Sequence, residues 1–138
     1  MRTFYIFKIN KEMAILTKDY PYNIYKNMEQ LKKYDKKELS FCYNIYDQLI
    51  VPIDNELYNQ KIFKKNKDNL YYQKNHNTHS IHNKYKPEES KLIIKNSYIL
   101  LQTDAIKSTF LKDLKFDSNL FVCDFDNRDY FWIEQALI

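Results

Sequence analysis

The first predicted strand is apolar on both of its faces. Residues 3–9, TFYIFKI, place Phe7 and Ile9 on one alternating face and Phe4 and Ile6 on the other. A strand with two apolar faces needs cover on both sides. The pattern therefore predicts a central strand lying between helical layers.

Two amphipathic helices are predicted next, over about 21–34 and about 36–50. Asp35 followed by Glu38 resembles a capping box at the start of the second helix, and Pro52 limits its end. The apolar stripes consist of Ile24, Met28 and Leu31 in the first helix and Leu39, Cys42, Tyr46 and Leu49 in the second.

After residue 53 the apolar periodicity is weak at first and becomes clear again from residue 91. Residues 54–90 show no sustained period and are interpreted as short strands and loops. Residues 91–103 give two apolar runs around an Asn-Ser turn, which predicts a hairpin. Thr103 or Asp104 can cap a third helix over about 105–115. The stripe of that helix consists of Ile106, Phe110 and Leu114.

The last elements complete a single domain over 1–138. NLFVCDF and YFWI read as two strands joined by the turn DNRD. The 138 residues, 44% of them hydrophobic and 17% aromatic, suffice for one buried core. We predict the α/β (α+β) class, with a mixed sheet flanked by helices.

The absence of glycine restricts the possible ligands. The chain contains 0 glycines, whereas loops that bind phosphates need residues that accept positive φ or close backbone approach. Walker-type and dinucleotide loops cannot be written in this sequence. We expect no nucleotide, coenzyme or other cofactor.

The basic character of the chain comes almost wholly from lysine. The formal charge is +4, and Arg2 and Arg128 are the only arginines. Because arginine is favoured in dedicated phosphate sites, a solubilising surface is the preferred interpretation, and we do not expect direct contact with nucleic acid. Lysines interleaved with tyrosines over 58–86 keep a small nucleic-acid-binding module as the alternative.

Two clusters could hold a metal ion. Asp124 and Asp126 could ligate a divalent cation, but they fit a hairpin turn better. His76, His79 and His82 are spaced for zinc, but the surrounding asparagines favour a polar loop. We expect no metal site.

The cysteines and the N-terminal residues indicate a cytoplasmic protein. Cys42 and Cys123 lie among apolar neighbours and are interpreted as reduced core residues. MRTFYIFKINKE reads as neither a signal peptide nor a membrane span. We expect no membrane partner and no catalytic residues.

Three segments together resemble a known family. FYIFKINKEM, YDQLIVPI and LFVCDFDNRDYFWI are similar to the sporulation inhibitor of replication (SirA) family of Firmicutes. Phe121, Asp124, Phe125, Tyr130 and Trp132 occupy the positions of the C-terminal family pattern. The resemblance covers about two-thirds of the chain and leaves 54–90 unmatched.

The resemblance implies a fold and a function. The fold would be a degenerate relative of GNAT-type N-acetyltransferases without their activity, and an acyltransferase-like enzyme is the least favoured alternative. The function would be inhibition of chromosome replication initiation through binding of the N-terminal domain of the initiator DnaA, by a monomer. The implied partner-binding residues are Met13, Thr17 and Ile45, with Tyr20 as a substitute anchor because Thr17 stands where an aromatic residue is expected.

Overall fold

The computed structural model describes residues 1–33 and 49–136. Within them an eight-stranded sheet is combined with four α-helices. The strands are β1 (Arg2–Ile9), β2 (Ile50–Val51), β3 (Tyr72–Asn75), β4 (Thr78–Asn83), β5 (Glu88–Ile94), β6 (Ile99–Thr103), β7 (Leu120–Asp124) and β8 (Asp129–Trp132). The helices are α1 (Lys11–Thr17), α2 (Pro21–Lys33), α3 (Asn55–Asn66) and α4 (Thr109–Asp113), with 3₁₀ turns at Leu114–Phe116 and Ile133–Gln135.

The strand order is β3-β4-β5-β6-β1-β7-β8, with β2 paired to the end of β1. The predicted central position of β1 is confirmed, because β1 pairs with β6 on one side and with β7 on the other. Every pairing between described strands is antiparallel. The α+β class is thus confirmed, and the strand directions we predicted as mixed are antiparallel.

The two faces of β1 enter two separate cores. Phe4 and Ile6 pack in a cluster that includes residues of α3 and α4. Phe7 and Ile9 pack in a second cluster with residues of α1 and α2. Helices therefore cover both faces, as the two-sided apolar pattern predicted.

The antiparallel register also defines two ends of the sheet. β1 begins opposite the end of β6, where Arg2 pairs with Thr103. The turns after β4, β6 and β7 therefore lie at the end where β1 begins. Helix α1 follows the other end of β1, so it lies at the opposite end of the sheet.

The first predicted helix and both predicted hairpins are confirmed. Helix α2 spans Pro21–Lys33, and its residues Ile24 and Met28 are buried. β5 with β6, and β7 with β8, form the two hairpins. The helix predicted over 36–50 lies largely outside the described residues, and its predicted end differs because Ile50 already belongs to β2.

Helix α3 was missed in the segment interpreted as strands and loops. Its buried stripe contains only two apolar residues, Tyr58 and Ile62, followed by the polar Asn66. The side chain of Asp54 caps the helix by accepting a hydrogen bond from the Leu57 amide at 3.2 Å. The apolar periodicity is too short to predict this helix, whereas the cap was a usable signal.

The third predicted helix begins later than expected. Ile106 is 89% exposed, and α4 begins at Thr109 rather than after a cap at Thr103 or Asp104. The carboxylate of Glu88, from β5, accepts hydrogen bonds from the Thr109 amide at 3.2 Å and hydroxyl at 2.7 Å. A side chain from another strand thus satisfies the start of α4, and no local pattern could predict that.

None of the described helices is both long and apolar enough to span a bilayer.

Candidate protein-interaction surface

Helix α1 is short and firmly placed against the sheet. The Asn10 side chain caps it by accepting a hydrogen bond from the Glu12 amide at 2.9 Å. Ala14 is buried in the core cluster beneath α1 and α2. A helix of seven residues that buries one small side chain directs most of its other side chains toward solvent.

Exposed apolar side chains follow from that placement. Ile15 is 71% exposed, Leu16 is 70% exposed, and Tyr20 in the turn after the helix is 63% exposed. We call these three residues the α1 surface. Exposed large apolar groups that are neighbours in the chain are typical of interaction sites.

The predicted partner-binding residues differ in their environments. Met13 is half-buried and packs against the core cluster. The Thr17 hydroxyl donates to the Met13 carbonyl at 2.5 Å. Tyr20 is exposed, whereas Ile45 lies outside the described residues. The structure thus places Met13, Thr17 and Tyr20 along one helix and its following turn.

Lys18 ties this region to the C-terminal part of the chain. Its ammonium group lies 4.3 Å from the centre of the Trp132 ring. The same group lies 3.2 Å from a Glu134 carboxylate oxygen and donates to the Ser118 carbonyl at 3.1 Å. These contacts join the end of α1 to the segment before β7, to β8 and to the 3₁₀ turn at Ile133–Gln135. A shallow cavity of about 440 Å³ lies beside Ile15 and Lys18.

Aromatic rings of α2 pack against β8 next to the turn between α1 and α2. Tyr25 stacks on Tyr130 with ring centres 4.7 Å apart, and Tyr22 lies 6.2 Å from the same ring. Burial, together with a hydrogen bond donated to Glu29, raises the pKa of Tyr25 to about 12. Tyr25 is therefore neutral at physiological pH and has a structural role.

The aspartate pair forms a hairpin turn, as predicted. Asp124 is fully buried and accepts hydrogen bonds from Arg2 Nε at 2.9 Å and from Asn127 Nδ2 at 2.7 Å. These bonds outweigh the effect of burial and leave the pKa of Asp124 below its usual range. Asp126 is exposed in the turn, so the two carboxylates do not converge on a common site.

The three histidines do not form a polar loop, and that prediction was wrong. His76 occupies the turn between β3 and β4, while His79 and His82 lie on β4. Residues three apart on a strand point to opposite faces, so His79 is fully buried and His82 is exposed. Within the described residues no group of three or more potential metal ligands is close enough to hold an ion.

His79 lies in a buried hydrogen-bonded chain. Its Nε2 is 2.7 Å from Asn59 Oδ1, and its Nδ1 is 2.6 Å from the Tyr72 hydroxyl. Because an amide oxygen can only accept, Nε2 carries the proton and Nδ1 accepts from Tyr72. Burial, with a smaller effect of Lys74, lowers the pKa of His79 to about 4. The imidazole is therefore neutral and structural.

Asn59 also lines an open cavity of about 510 Å³.

Cys123 behaves as a core residue. It is fully buried, and burial raises the pKa of its thiol. A thiol in this state is a poor nucleophile, because the thiolate is the reactive form. Cys42 lies outside the described residues.

The fold is that of a small α+β protein, and the α1 surface displays apolar side chains at the end of the sheet where β1 ends. No protein-family model matches the chain, and no curated protein matches it. Sequence reasoning missed Ile15 and Leu16. The signal was present in the run Met13-Ala14-Ile15-Leu16, because four successive apolar residues on one short helix cannot all face the core.

Proposed function

We propose that this chain inhibits initiation of chromosome replication by binding the N-terminal domain of the initiator DnaA through helix α1 and the turn that follows it. The proposal combines the resemblance of the sequence to the SirA family with one structural observation, the exposed apolar residues of the α1 surface. We further propose that the protein acts as a cytoplasmic monomer.

Inhibition by occupying a partner's surface agrees with the roles of the reactive side chains. Cys123 is buried, and Asp124 and His79 are used inside the fold. The α1 surface, in contrast, offers Leu16 and Tyr20 to a partner. A few apolar or aromatic anchors of this kind carry most of the free energy in many interfaces.

The decisive experiment is calorimetric titration of the isolated DnaA domain with wild-type protein and with Leu16→Ala. We expect Leu16→Ala to weaken binding by more than about 1 kcal/mol if Leu16 is an anchor. Its stability should change by less than about 0.5 kcal/mol, because the side chain is largely in solvent. Ile106→Ala is the matched control, since Ile106 is a similarly large aliphatic side chain that is even more exposed than Leu16 but lies at the other end of the sheet.

Two further variants separate the predicted contact residues. Met13→Ala should reduce both binding and thermal stability, because Met13 is half-buried against the core. Thr17→Ala should change binding less than Leu16→Ala, because the Thr17 hydroxyl is already bonded to the helix. Absence of wild-type binding at about 50 µM, where a micromolar complex is saturated, would refute the proposed function.

A further inference from the structure

Strand β3 forms one edge of the sheet in the described part of the chain. It pairs with β4 on one side, and no described strand pairs with its other side. The Tyr71 carbonyl accepts a hydrogen bond from the His82 amide at 3.1 Å, so every second residue from Tyr71 onward bonds to β4. The backbone amide and carbonyl of Lys74 therefore point away from β4, on the open side of the edge.

A cleft adjoins this edge. The open cavity of about 510 Å³ lies between α3 and the hairpin of β3 and β4. Glu56, Asn59 and Phe63 line it from one face of α3, and Lys74 and Asn77 line it from the hairpin. The outward backbone groups and the cleft thus belong to one continuous surface.

The cleft is suited to a neutral aromatic side chain. Phe63 is 46% exposed, with its ring 6.5 Å from that of Tyr72. Exposed rings of this kind pack favourably against a further ring. With histidine neutral, the formal charges of the lining residues cancel, because Glu56 and Lys74 are the only charged ones. The volume of the cavity is sufficient for a tyrosine or phenylalanine side chain.

The polar wall of the cleft is fixed by the buried chain of His79. His79 Nε2 donates to Asn59 Oδ1, and Asn59 Nδ2 donates to Asn77 Oδ1 at 2.8 Å. The Asn77 Nδ2 group then remains a donor without a partner among the described residues. A hydroxyl at the tip of an aromatic ring can accept a hydrogen bond from it.

We propose that the edge of β3 binds an extended peptide segment of a partner protein, which pairs antiparallel with β3 and places an aromatic side chain in the cleft. The peptide residue opposite Lys74 would exchange two backbone hydrogen bonds with it. Residues opposite each other in an antiparallel pair share one face of the sheet. Lys74 lies opposite His79, which bonds to α3, so that peptide residue also faces the cleft.

A second copy of the chain fits this edge less well. Two β3 edges paired at Lys74 would place two ammonium groups opposite each other on one face, which is unfavourable. Lysine on an edge strand is one of the features that prevent pairing between identical edges. An aromatic residue of a partner, in contrast, gains from lying beside the Lys74 ammonium group.

The edge of β3 is separate from the α1 surface. Tyr58 and Ile62 of α3 belong to one core cluster, whereas Ala14 of α1 belongs to the other. The two helices therefore cover opposite faces of the sheet. The proposal does not depend on DnaA binding, and either one can fail without the other.

NMR titration of isotope-labelled protein tests the proposal. The probe is a seven-residue peptide with a central tyrosine and threonine-valine-threonine on each side. Binding should saturate at millimolar peptide or below and shift the backbone amide resonance of Lys74. A central alanine should weaken binding about 5-fold or more, because the contact with Phe63 is lost. N-methylation of the tyrosine amide should weaken binding about 5-fold, because it removes the hydrogen bond to the Lys74 carbonyl.

Two variants separate the backbone contact from the cleft. Lys74→Pro removes the outward amide, and an edge strand tolerates proline at such a position because the bonds to β4 remain. It should weaken binding of the tyrosine peptide about 5-fold, whereas Lys74→Gln, which keeps the amide, should cost less. Phe63→Ala should reduce the difference between the tyrosine and alanine peptides. Leu16→Ala is the control and should bind the peptide as wild type does, and thermal melts check that each variant is folded.

Three outcomes would overturn the proposal. The first is an unshifted Lys74 amide at about 5 mM tyrosine peptide, well above a millimolar dissociation constant. The second is equal affinity for the tyrosine and alanine peptides, or equal binding by wild type and Lys74→Pro. The third is a concentration-dependent dimer that Lys74→Pro abolishes, which would assign the edge to a second copy of the chain.

Discussion

Acidification should destabilise the fold through His79. The pKa of this imidazole falls from 6.5 to about 4 on folding, mainly because burial disfavours the charged form. The unfolded chain therefore binds a proton more readily than the folded protein does. The stability that depends on neutral His79 is fully present above about pH 6.5 and is lost as the pH falls toward 4. At about 1.4 kcal/mol per pH unit, the loss attributable to His79 reaches about 2 kcal/mol at pH 5.

Urea unfolding at pH 8 and pH 5 measures this effect. The difference in the free energy of unfolding between pH 8 and pH 5 should be about 2 kcal/mol smaller in His79→Gln than in wild type, because glutamine cannot titrate. A comparison of variants is needed since burial raises the pKa of Asp113, and protonation of that carboxyl at low pH favours the folded state.

An NMR titration of the imidazole protons gives an independent test. His79 should remain neutral down to a pH well below 6, while the free unfolded chain titrates near its ordinary value. A His79 that titrates near 6.5 in the folded protein would refute the argument. So would an unchanged pH dependence in His79→Gln.

Two further predictions concern the turns. His76 has a φ of 55° in the turn between β3 and β4, so His76→Gly should raise the free energy of unfolding by up to about 1 kcal/mol, measured by urea unfolding. A decrease would mean that glycine's greater freedom in the unfolded chain dominates. Asp124→Ala should destabilise the protein by about 2 kcal/mol, because it removes the hydrogen bonds that the buried Asp124 carboxylate accepts from Arg2 and Asn127. Asp124→Asn should be milder in thermal melts, and equal effects would contradict a charge-based role.

Local pattern was informative wherever an element depends on its own residues. The two-sided apolar strand, the stripe of Ile24 and Met28, and the two hairpins were all predicted because their periods are short and complete. Helix α3 was not predicted because its buried face carries only two apolar residues, Tyr58 and Ile62. Local pattern did not predict the α1 surface: Tyr20 was named as a substitute anchor through the family resemblance alone, and Ile15 and Leu16 were not named.

The central strand, both β-hairpins, helix α2 and the exclusion of glycine-dependent phosphate loops follow from the order of the residues alone. The burial of His79, the capping of α4 by Glu88, and the position of Leu70, Tyr85 and Ile106 at one end of the sheet depend on how distant segments pack. The physical reason is that periodicity fixes which residues share a face of one element. Strand register and packing then decide which faces are covered and which distant residues become neighbours.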